Sequence, residues 1–167
     1  PSVFMAYDMI PEISGYDPQK PMWQEKRYGI EHASTFISIS ENTAKDLVRF
    51  YPEISPDSIA IAHCGVSSSF YPAPVEEVAS FKARYSIAKR YFILSGMRVG
   101  YKNALLFFKA YAQLPNQHEF EIVCTGGGNQ LEPEFQPYVT GSKIHLLHLS
   151  DDELRAAYSG STALVFP

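Results

Sequence analysis

Two cations stand four positions apart in the stretch YFILSGMRVGYKNALLFF, which covers residues 91–108. Arg98 and Lys102 lie between an apolar run typical of a buried strand and a second apolar run typical of a helix. Gly96 and Gly100 let the backbone beside them come close to a ligand. Two cations at the start of a helix favour a phosphorylated ligand, because the helix end adds partial positive charge. Taken alone, the spacing also fits a solvated loop in which two cations happen to be neighbours.

A second glycine-rich turn, TGGGNQ, occupies residues 125–130 after another apolar run. Gly126 and Gly128 begin a dinucleotide-type pattern, but Leu131 stands where G-x-G-x-x-G needs its third glycine. The strand expected after this turn, KIHLLHL, does not end in a ribose-binding acid. The pattern therefore argues against a nicotinamide cofactor. It leaves either a ligand-facing loop or a turn that needs positive backbone angles.

The acidic residues give weaker signals. The DDE triplet at 151–153 follows Ser150 in the pattern of a capping box, which accounts for it without a metal ion. Asp8 and Glu12 follow the end of an expected strand in YDMIPE, where catalysis and ordinary loop structure are equally good explanations. The histidines are scattered and show no pairing with a nucleophile.

The composition is that of a soluble globular chain, with 46% hydrophobic and 19% charged residues and a net charge of −4. The sequence contains no basic stripe of the kind that binds nucleic acid. It also contains no run of about 18 apolar residues, the length that a membrane span needs. Cys64 and Cys124 each lie in an apolar segment without metal-ligand spacing, so we expect both to be buried free thiols in a reducing, cytoplasmic compartment. Because both ends of the chain adjoin core-like apolar runs, we expect an internal piece of a longer protein.

Apolar runs and helical periodicities alternate along the chain. The segments that we interpret as strands are 3–7, 35–40, 58–65, 91–95, 120–125, 143–149 and 162–167. The segments that we interpret as helices are 23–33, 41–51, 75–85, 102–113, 131–138 and 151–158. Apolar strands between helices predict parallel sheets covered on both faces. The polar, proline-bearing stretch VSSSFYPAPVEE predicts two domains, 1–69 and 76–167, joined by a linker at 70–75.

The chain contains, in this order, the segments MAYDMIPE, SISENTAKDLVRFYP, IAIAHCGVSSSFYP, SGMRVGYKN, IVCTGGG and LSDDELRAAYSGSTALVFP. This succession resembles the motifs of the family-4, or group 1, retaining glycosyltransferases of the GT-B fold. Each motif is weak alone, but their order and spacing extend over nearly the whole chain. The resemblance implies an α/β fold with parts of two Rossmann-like parallel-sheet domains. Residues 1–69 would end the N-terminal acceptor domain, and residues 76–167 would begin the C-terminal donor domain.

The resemblance also implies an activity and a set of site residues. The family transfers a sugar from a nucleotide-diphosphate sugar to a glycan or lipid-linked glycan, with retention of configuration and without a metal ion. Arg98 and Lys102 would hold the diphosphate and neutralise the charge that develops as it leaves, and Asp8 would be a third catalytic residue. The other implied donor contacts are Gly96, Asn103, Gly126, Gly128 and, near the nucleobase, Leu149. No metal or cofactor is expected, and the lack of a D-x-D triplet agrees with this.

The chain departs from the family pattern at several places. Tyr7 stands where the family often has His, and Cys64 stands where the linker usually has Asn. Residues 147–149 read LHL where glycine is common, so base recognition stays open. The family's E-x7-E motif would begin only after Pro167, and the chain by itself is expected to be inactive.

Two other kinds of function fit the same fold. One is a non-catalytic nucleotide-binding or scaffold module, and the other is a GT-B epimerase or phosphorylase. For the transferase, the resemblance leaves GDP-mannose and UDP-sugars open as donors. A lipid-linked acceptor in surface polysaccharide biosynthesis, with peripheral association at the inner membrane face, is compatible with the family.

Overall fold

The computed structural model describes residues 1–167, which form two compact units, Pro1–Val66 and Ser67–Pro167. Each unit is built on its own parallel sheet, so the predicted α/β class with two parallel-sheet domains is confirmed. The division between the units falls before residues 70–75, the expected linker.

Residues 70–75 belong to the second unit because they are tied to its last helix. The backbone N–H of Ala73 donates a hydrogen bond to Oγ of Ser159 at 2.9 Å. The guanidinium of Arg155 lies 4.3 Å from the centre of the Tyr71 ring, which is the distance of a cation–π contact. The segment predicted as a linker is thus held at the surface of the second unit by specific contacts.

The first unit has a three-stranded parallel sheet in the order β1-β2-β3. Its strands are β1 (Val3–Ala6), β2 (Thr35–Ser38) and β3 (Ile59–Ile61). Its helices are α1 (Ile10–Ile13), α2 (Pro21–Glu31) and α3 (Glu41–Phe50), with a 3-10 turn at Pro56–Ser58. The buried core consists of Ala6, Met9, Ile30, Phe36, Leu47 and Ile54.

The second unit has a four-stranded parallel sheet in the order β6-β5-β4-β7. Its strands are β4 (Arg90–Ser95), β5 (Phe120–Thr125), β6 (Ile144–Leu147) and β7 (Ala163–Val165). Its helices are α4 (Val75–Arg84), α5 (Ala104–Tyr111) and α6 (Asp151–Gly160). Three 3-10 helices lie at Gly100–Lys102, Gln117–Glu119 and Pro133–Tyr138.

The second sheet is covered on both faces, as its continuous apolar strands predict. All six residues of β5 are buried. Successive side chains of a strand point to opposite faces, and one face accordingly packs Ile122 and Cys124 against Phe108 of α5. The other face packs Val123 into the cluster that contains Ala157 of α6.

Two predicted helix starts are confirmed by their hydrogen bonds. Ser40 begins α3 and accepts a hydrogen bond from the Thr43 N–H at 3.1 Å. Ser150 begins α6 in a complete capping box, in which the Glu153 carboxylate accepts from the Ser150 N–H at 3.0 Å. The Glu153 side chain of the DDE triplet is thus part of the capping box, as the sequence predicted.

Three details differ from the expectation. Residues 131–138 form no α-helix but the 3-10 helix Pro133–Tyr138, because Pro137 has no N–H to donate to an α-helical turn. The third strand ends at Ile61 and is shorter than the apolar run suggested. Cys64 lies beyond this strand and is exposed, so the prediction of a buried thiol was wrong there, whereas Cys124 is buried.

None of the helices combines the length and the hydrophobicity that a membrane crossing requires.

Candidate functional site

The loops that follow β4, β5 and β6 meet at one edge of the second sheet, since the carboxyl ends of neighbouring parallel strands lie side by side. The first two loops touch, because the Gly96 N–H donates a hydrogen bond to the Thr125 carbonyl at 2.8 Å. Gly126 has φ +80°, and a Cβ there would lie 3.1 Å from the Gly96 Cα. Both the angle and the close approach favour glycine at position 126.

Arg98 reaches from the loop after β4 into the loop after β5. Its Nε donates to the Glu132 carboxylate at 2.8 Å, and its Nη2 donates to the carbonyls of Gly128 and Gln130 at 2.9 and 3.1 Å. A Cβ on Gly127 would lie 2.3 Å from Nη1. Arg98 is only 2% exposed. The structure therefore differs from the expectation that this guanidinium faces a ligand: an internal carboxylate and two carbonyls already bind it.

Lys102 is the second cation at this edge, and its surroundings are different. It ends the 3-10 turn Gly100–Lys102 and is half-buried. Its Nζ lies 4.4 Å from the ring centre of Phe166 and 5.1 Å from that of Tyr101. It forms no ion pair, so its charge is not neutralised by a carboxylate as that of Arg98 is.

Asn103 links this turn to α5. It has a left-handed backbone with φ 50° and ψ 36°, and its side chain makes no capping hydrogen bond. Asparagine tolerates this conformation better than most residues. The helix starts at Ala104, two residues later than the sequence suggested, and Asn103 itself is exposed.

The loop after β6 contributes Leu149 and His148. Leu149 is half-buried and packs against the core cluster between the sheet and α6. The ring of His148 is hydrogen-bonded to Asn129 Oδ1 through Nε2 at 2.5 Å. The loop after β5 is thus held by hydrogen bonds from Arg98 and by the His148–Asn129 contact. The sequence indicated neither Glu132 nor the His148–Asn129 contact, because no local pattern connects residues so far apart in the chain.

Asp8 belongs to the first unit and is described there alone. Its exposed carboxylate accepts a hydrogen bond at 3.0 Å from the N–H of Ile10, the first residue of the short helix α1. Its carbonyl accepts from Lys26 Nζ at 3.0 Å, and Lys26 also pairs with Glu12 at 2.8 Å. Glu12 also influences Tyr51. Burial raises the pKa of Tyr51 to about 12, and the negative charge of Glu12 raises this pKa as well.

No three His, Cys, Asp or Glu side chains converge in a way that could hold a metal ion.

These two parallel sheets place the chain in a known structural class, the GT-B fold of two Rossmann-like domains, which confirms the predicted fold. WaaG, a glycosyltransferase involved in lipopolysaccharide biosynthesis, matches 99% of this chain with a TM-score of 0.76 and 14% identity. HepE of Anabaena, crystallised with UDP-glucose, matches 98% with a TM-score of 0.71 and 13% identity. A UDP-N-acetylglucosamine 2-epimerase from Rickettsia bellii matches 98% with a TM-score of 0.57 and 16% identity.

The matches concern the fold, because the identities are low. The chain covers 50% of WaaG, 46% of HepE and 44% of the epimerase, so it spans about half the length of these neighbours. No protein-family model and no curated protein matches the sequence.

Proposed function

We propose that the chain is part of a metal-independent, retaining glycosyltransferase that transfers a hexose from a nucleotide-diphosphate sugar to a glycan or lipid-linked acceptor. The observation that carries the proposal is the fold, shared over 98–99% of the chain with WaaG and with HepE bound to UDP-glucose. Since the chain spans about half the length of these proteins, the transfer itself would need the parts that they contain in addition. The second unit would bind the donor.

Lys102 would carry the electrostatic part of the reaction. Its ammonium is free of any carboxylate and lies at the edge of the sheet where open parallel sheets bind ligands. As the bond between sugar and diphosphate breaks, negative charge grows on the leaving oxygen. A fixed cation there stabilises the transition state more than the ground state, which lowers the barrier.

The glycine loop and the base-side residues would complete the donor site. Gly96, Gly126 and Gly128 keep the backbone free of side chains where the loops after β4 and β5 meet. Leu149, half-buried beside the start of α6, would provide an apolar contact for the nucleobase. Asn103 would present its exposed amide next to Lys102.

Asp8 is proposed as the catalytic residue of the acceptor side. Its carboxylate is exposed and is oriented by the Ile10 N–H. A carboxylate held in this way can accept the proton of an acceptor hydroxyl as that oxygen attacks the sugar. The proposal predicts that Asp8→Asn lowers kcat and leaves the donor KM within about threefold, because the donor site lies on the other unit.

A donor screen tests the proposed function. The complete protein is incubated with UDP-glucose, other UDP-sugars and GDP-mannose, and both nucleotide release and the anomeric configuration of the product are measured. We expect release of a nucleoside diphosphate that depends on an acceptor and is unaffected by a chelator, with retention in the product. Inversion, or a requirement for a divalent metal, would contradict the proposal.

A second candidate is an epimerase that acts on a UDP-sugar, because the Rickettsia epimerase shares the fold over 98% of the chain. Its lower TM-score, 0.57 against 0.76 for WaaG, makes it the weaker candidate. The same screen separates the two functions. An epimerase converts the UDP-sugar into an isomer without any acceptor, whereas a transferase needs the acceptor and moves the sugar onto it.

A further inference from the structure

The contacts of Arg98 indicate what this residue does at the edge of the second sheet. Its guanidinium donates to Glu132 and to the carbonyls of Gly128 and Gln130, all within 2.8–3.1 Å. The side chain is 1% exposed. Nε and Nη2 are thereby occupied, whereas Nη1 makes no hydrogen bond. Arg98 therefore has the surroundings of a structural tie.

The tie has a geometric consequence for the loop. The peptide bonds of the chain are all trans, so the C=O and N–H of one peptide point in opposite directions. Arg98 draws in the carbonyl of Gly128, which turns the N–H of Asn129 away from the guanidinium. It draws in the carbonyl of Gln130 as well, which turns the N–H of Leu131 away. Neither N–H donates a hydrogen bond to another backbone group of the chain.

The charges at this edge of the sheet also distinguish Arg98 from Lys102. Glu132 neutralises Arg98, so the pair adds no net positive charge at the edge. Lys102 is the cation that has no carboxylate partner there. A diphosphate at this edge would meet Lys102 and the amides that point away from Arg98, and free backbone N–H groups can donate to phosphate oxygens.

We infer that Arg98 and Glu132 are positioning residues, which act on the ligand through the amides of Asn129 and Leu131. This inference rests on the proposed function, because it takes the diphosphate of a nucleotide sugar as the ligand. It assigns a role to Glu132 and makes orientation of the loop after β5 the effect of the Arg98–Glu132 pair on the ligand. The His148–Asn129 hydrogen bond also holds this loop.

The variant Glu132→Gln distinguishes orientation from direct contact by the sign of its effect. If Arg98 positions the loop, loss of the carboxylate loosens the loop, and we expect the complete protein to bind UDP about tenfold more weakly in titration calorimetry. If Arg98 acts mainly by direct contact with the diphosphate, the negative charge of Glu132 weakens that contact, and its removal makes UDP bind more tightly. Unchanged or tighter binding overturns the inference.

Two further variants complete the test. Glu119→Gln is the matched control, because Glu119 pairs with Arg90 at 2.7 Å on the surface at the other end of β4, and we expect it to leave UDP affinity unchanged. Glu132→Asp keeps the charge, and we expect it to restore affinity to within about threefold of the original protein. This rescue also separates loop orientation from a general folding defect, which thermal unfolding of each variant measures. An aspartate variant as weak as Glu132→Gln overturns the role of the ion pair.

Failure of the inference differs from failure of the proposed function. An original protein that binds neither UDP nor another nucleoside diphosphate contradicts the proposed function and, with it, the inference. An original protein that binds UDP, together with a Glu132→Gln variant that binds it more tightly, contradicts the inference alone.

Discussion

Buried charged residues of the second unit have partners, and this explains where a single substitution is costly. Glu121 is 2% exposed and His145 is 7% exposed, and their side chains meet at 2.6 Å between β5 and β6. The Ala88 N–H donates to the second carboxylate oxygen of Glu121 at 3.3 Å. A buried carboxylate is costly unless such partners are present. The pair thus has a role in stability that is separate from the candidate site.

His145→Leu tests this pair. The substitution leaves the Glu121 carboxylate buried without its imidazole, so we expect the free energy of unfolding to fall by about 1–3 kcal/mol in chemical denaturation. His118→Leu, at an exposed position, is the control and should change it by less than about 0.5 kcal/mol. Equal stability of the two variants would show that the buried hydrogen bond contributes little.

Cys124 predicts a pH dependence. Burial raises the pKa of its thiol from 9.0 to about 12, and the positive charge of Arg98 opposes this only in part. The folded chain therefore keeps a proton that the unfolded chain loses above about pH 9. Stability is fully present below that pH and falls as the pH rises towards 12, by about 1.4 kcal/mol per pH unit for this group.

The variant Cys124→Ala should remove this fall, and the range between pH 9 and 10 shows the loss most clearly. Tyr91, whose pKa burial raises to about 12, contributes only above its ordinary value of 10.0. The measurement is the free energy of unfolding as a function of pH, and Cys64→Ala, at an exposed position, serves as the control. An unchanged slope in Cys124→Ala would contradict the assignment.

At the scale of single residues, Arg98 shows which features of the site the sequence could predict and which it could not. Its place in a loop at the ligand-facing edge followed from the strand before it and the helix after it. Its partner, Glu132, lies 34 positions away, and the ion pair exists only because β4 and β5 are neighbours in the sheet. A local pattern therefore predicted the position of Arg98 but not the direction of its side chain.

At the scale of helices and strands, local signals were reliable where one residue type fixes the backbone. Ser150 and Glu153 predicted the start of α6 because a capping box is contained within four residues. The mostly apolar run FEIVCT predicted β5, and all six of its residues are buried. The start of α5 was less predictable, since the left-handed backbone of Asn103 ends the preceding 3-10 turn and could not be inferred from composition.

Ser150→Ala measures what the capping box contributes. The Ser150 side chain accepts from the Glu153 N–H, and its loss leaves a helix-end donor unpaired. We expect the free energy of unfolding to fall by about 0.5–2 kcal/mol. Ser80→Ala, within α4, is the control, because its hydroxyl only donates to the Glu76 carbonyl of its own helix. If Ser150→Ala is no less stable than this control, the cap is not stabilising.

At the scale of the whole molecule, the chain consists of two compact units, and the residues that join them are exposed. Residues 62–69 are all exposed, and 62–66 have no regular secondary structure. The expected linker, 70–75, follows this stretch but is held by the second unit. Composition indicated where regular structure stops, but not the contacts of Tyr71 and Ala73, because those depend on α6, more than 80 residues later.

Limited proteolysis tests this division. Exposed segments without regular structure are cut first, so we expect the earliest cleavage within residues 62–69 and a lasting product that begins near Ser67 and retains the second unit. Mass spectrometry of the early fragments identifies the site. First cleavage inside 70–75 would contradict the contacts described for that segment.

The central claim is that the ammonium of Lys102 binds the diphosphate of the donor, and its removal is the most direct test. In steady-state kinetics of the complete protein, we expect Lys102→Ala to lower kcat/KM for the nucleotide sugar about 10–1000-fold, as the loss of one fixed charge at a leaving group does. Lys109→Ala, on the exposed side of α5, should leave it unchanged. Near-normal kinetics in Lys102→Ala would contradict the account.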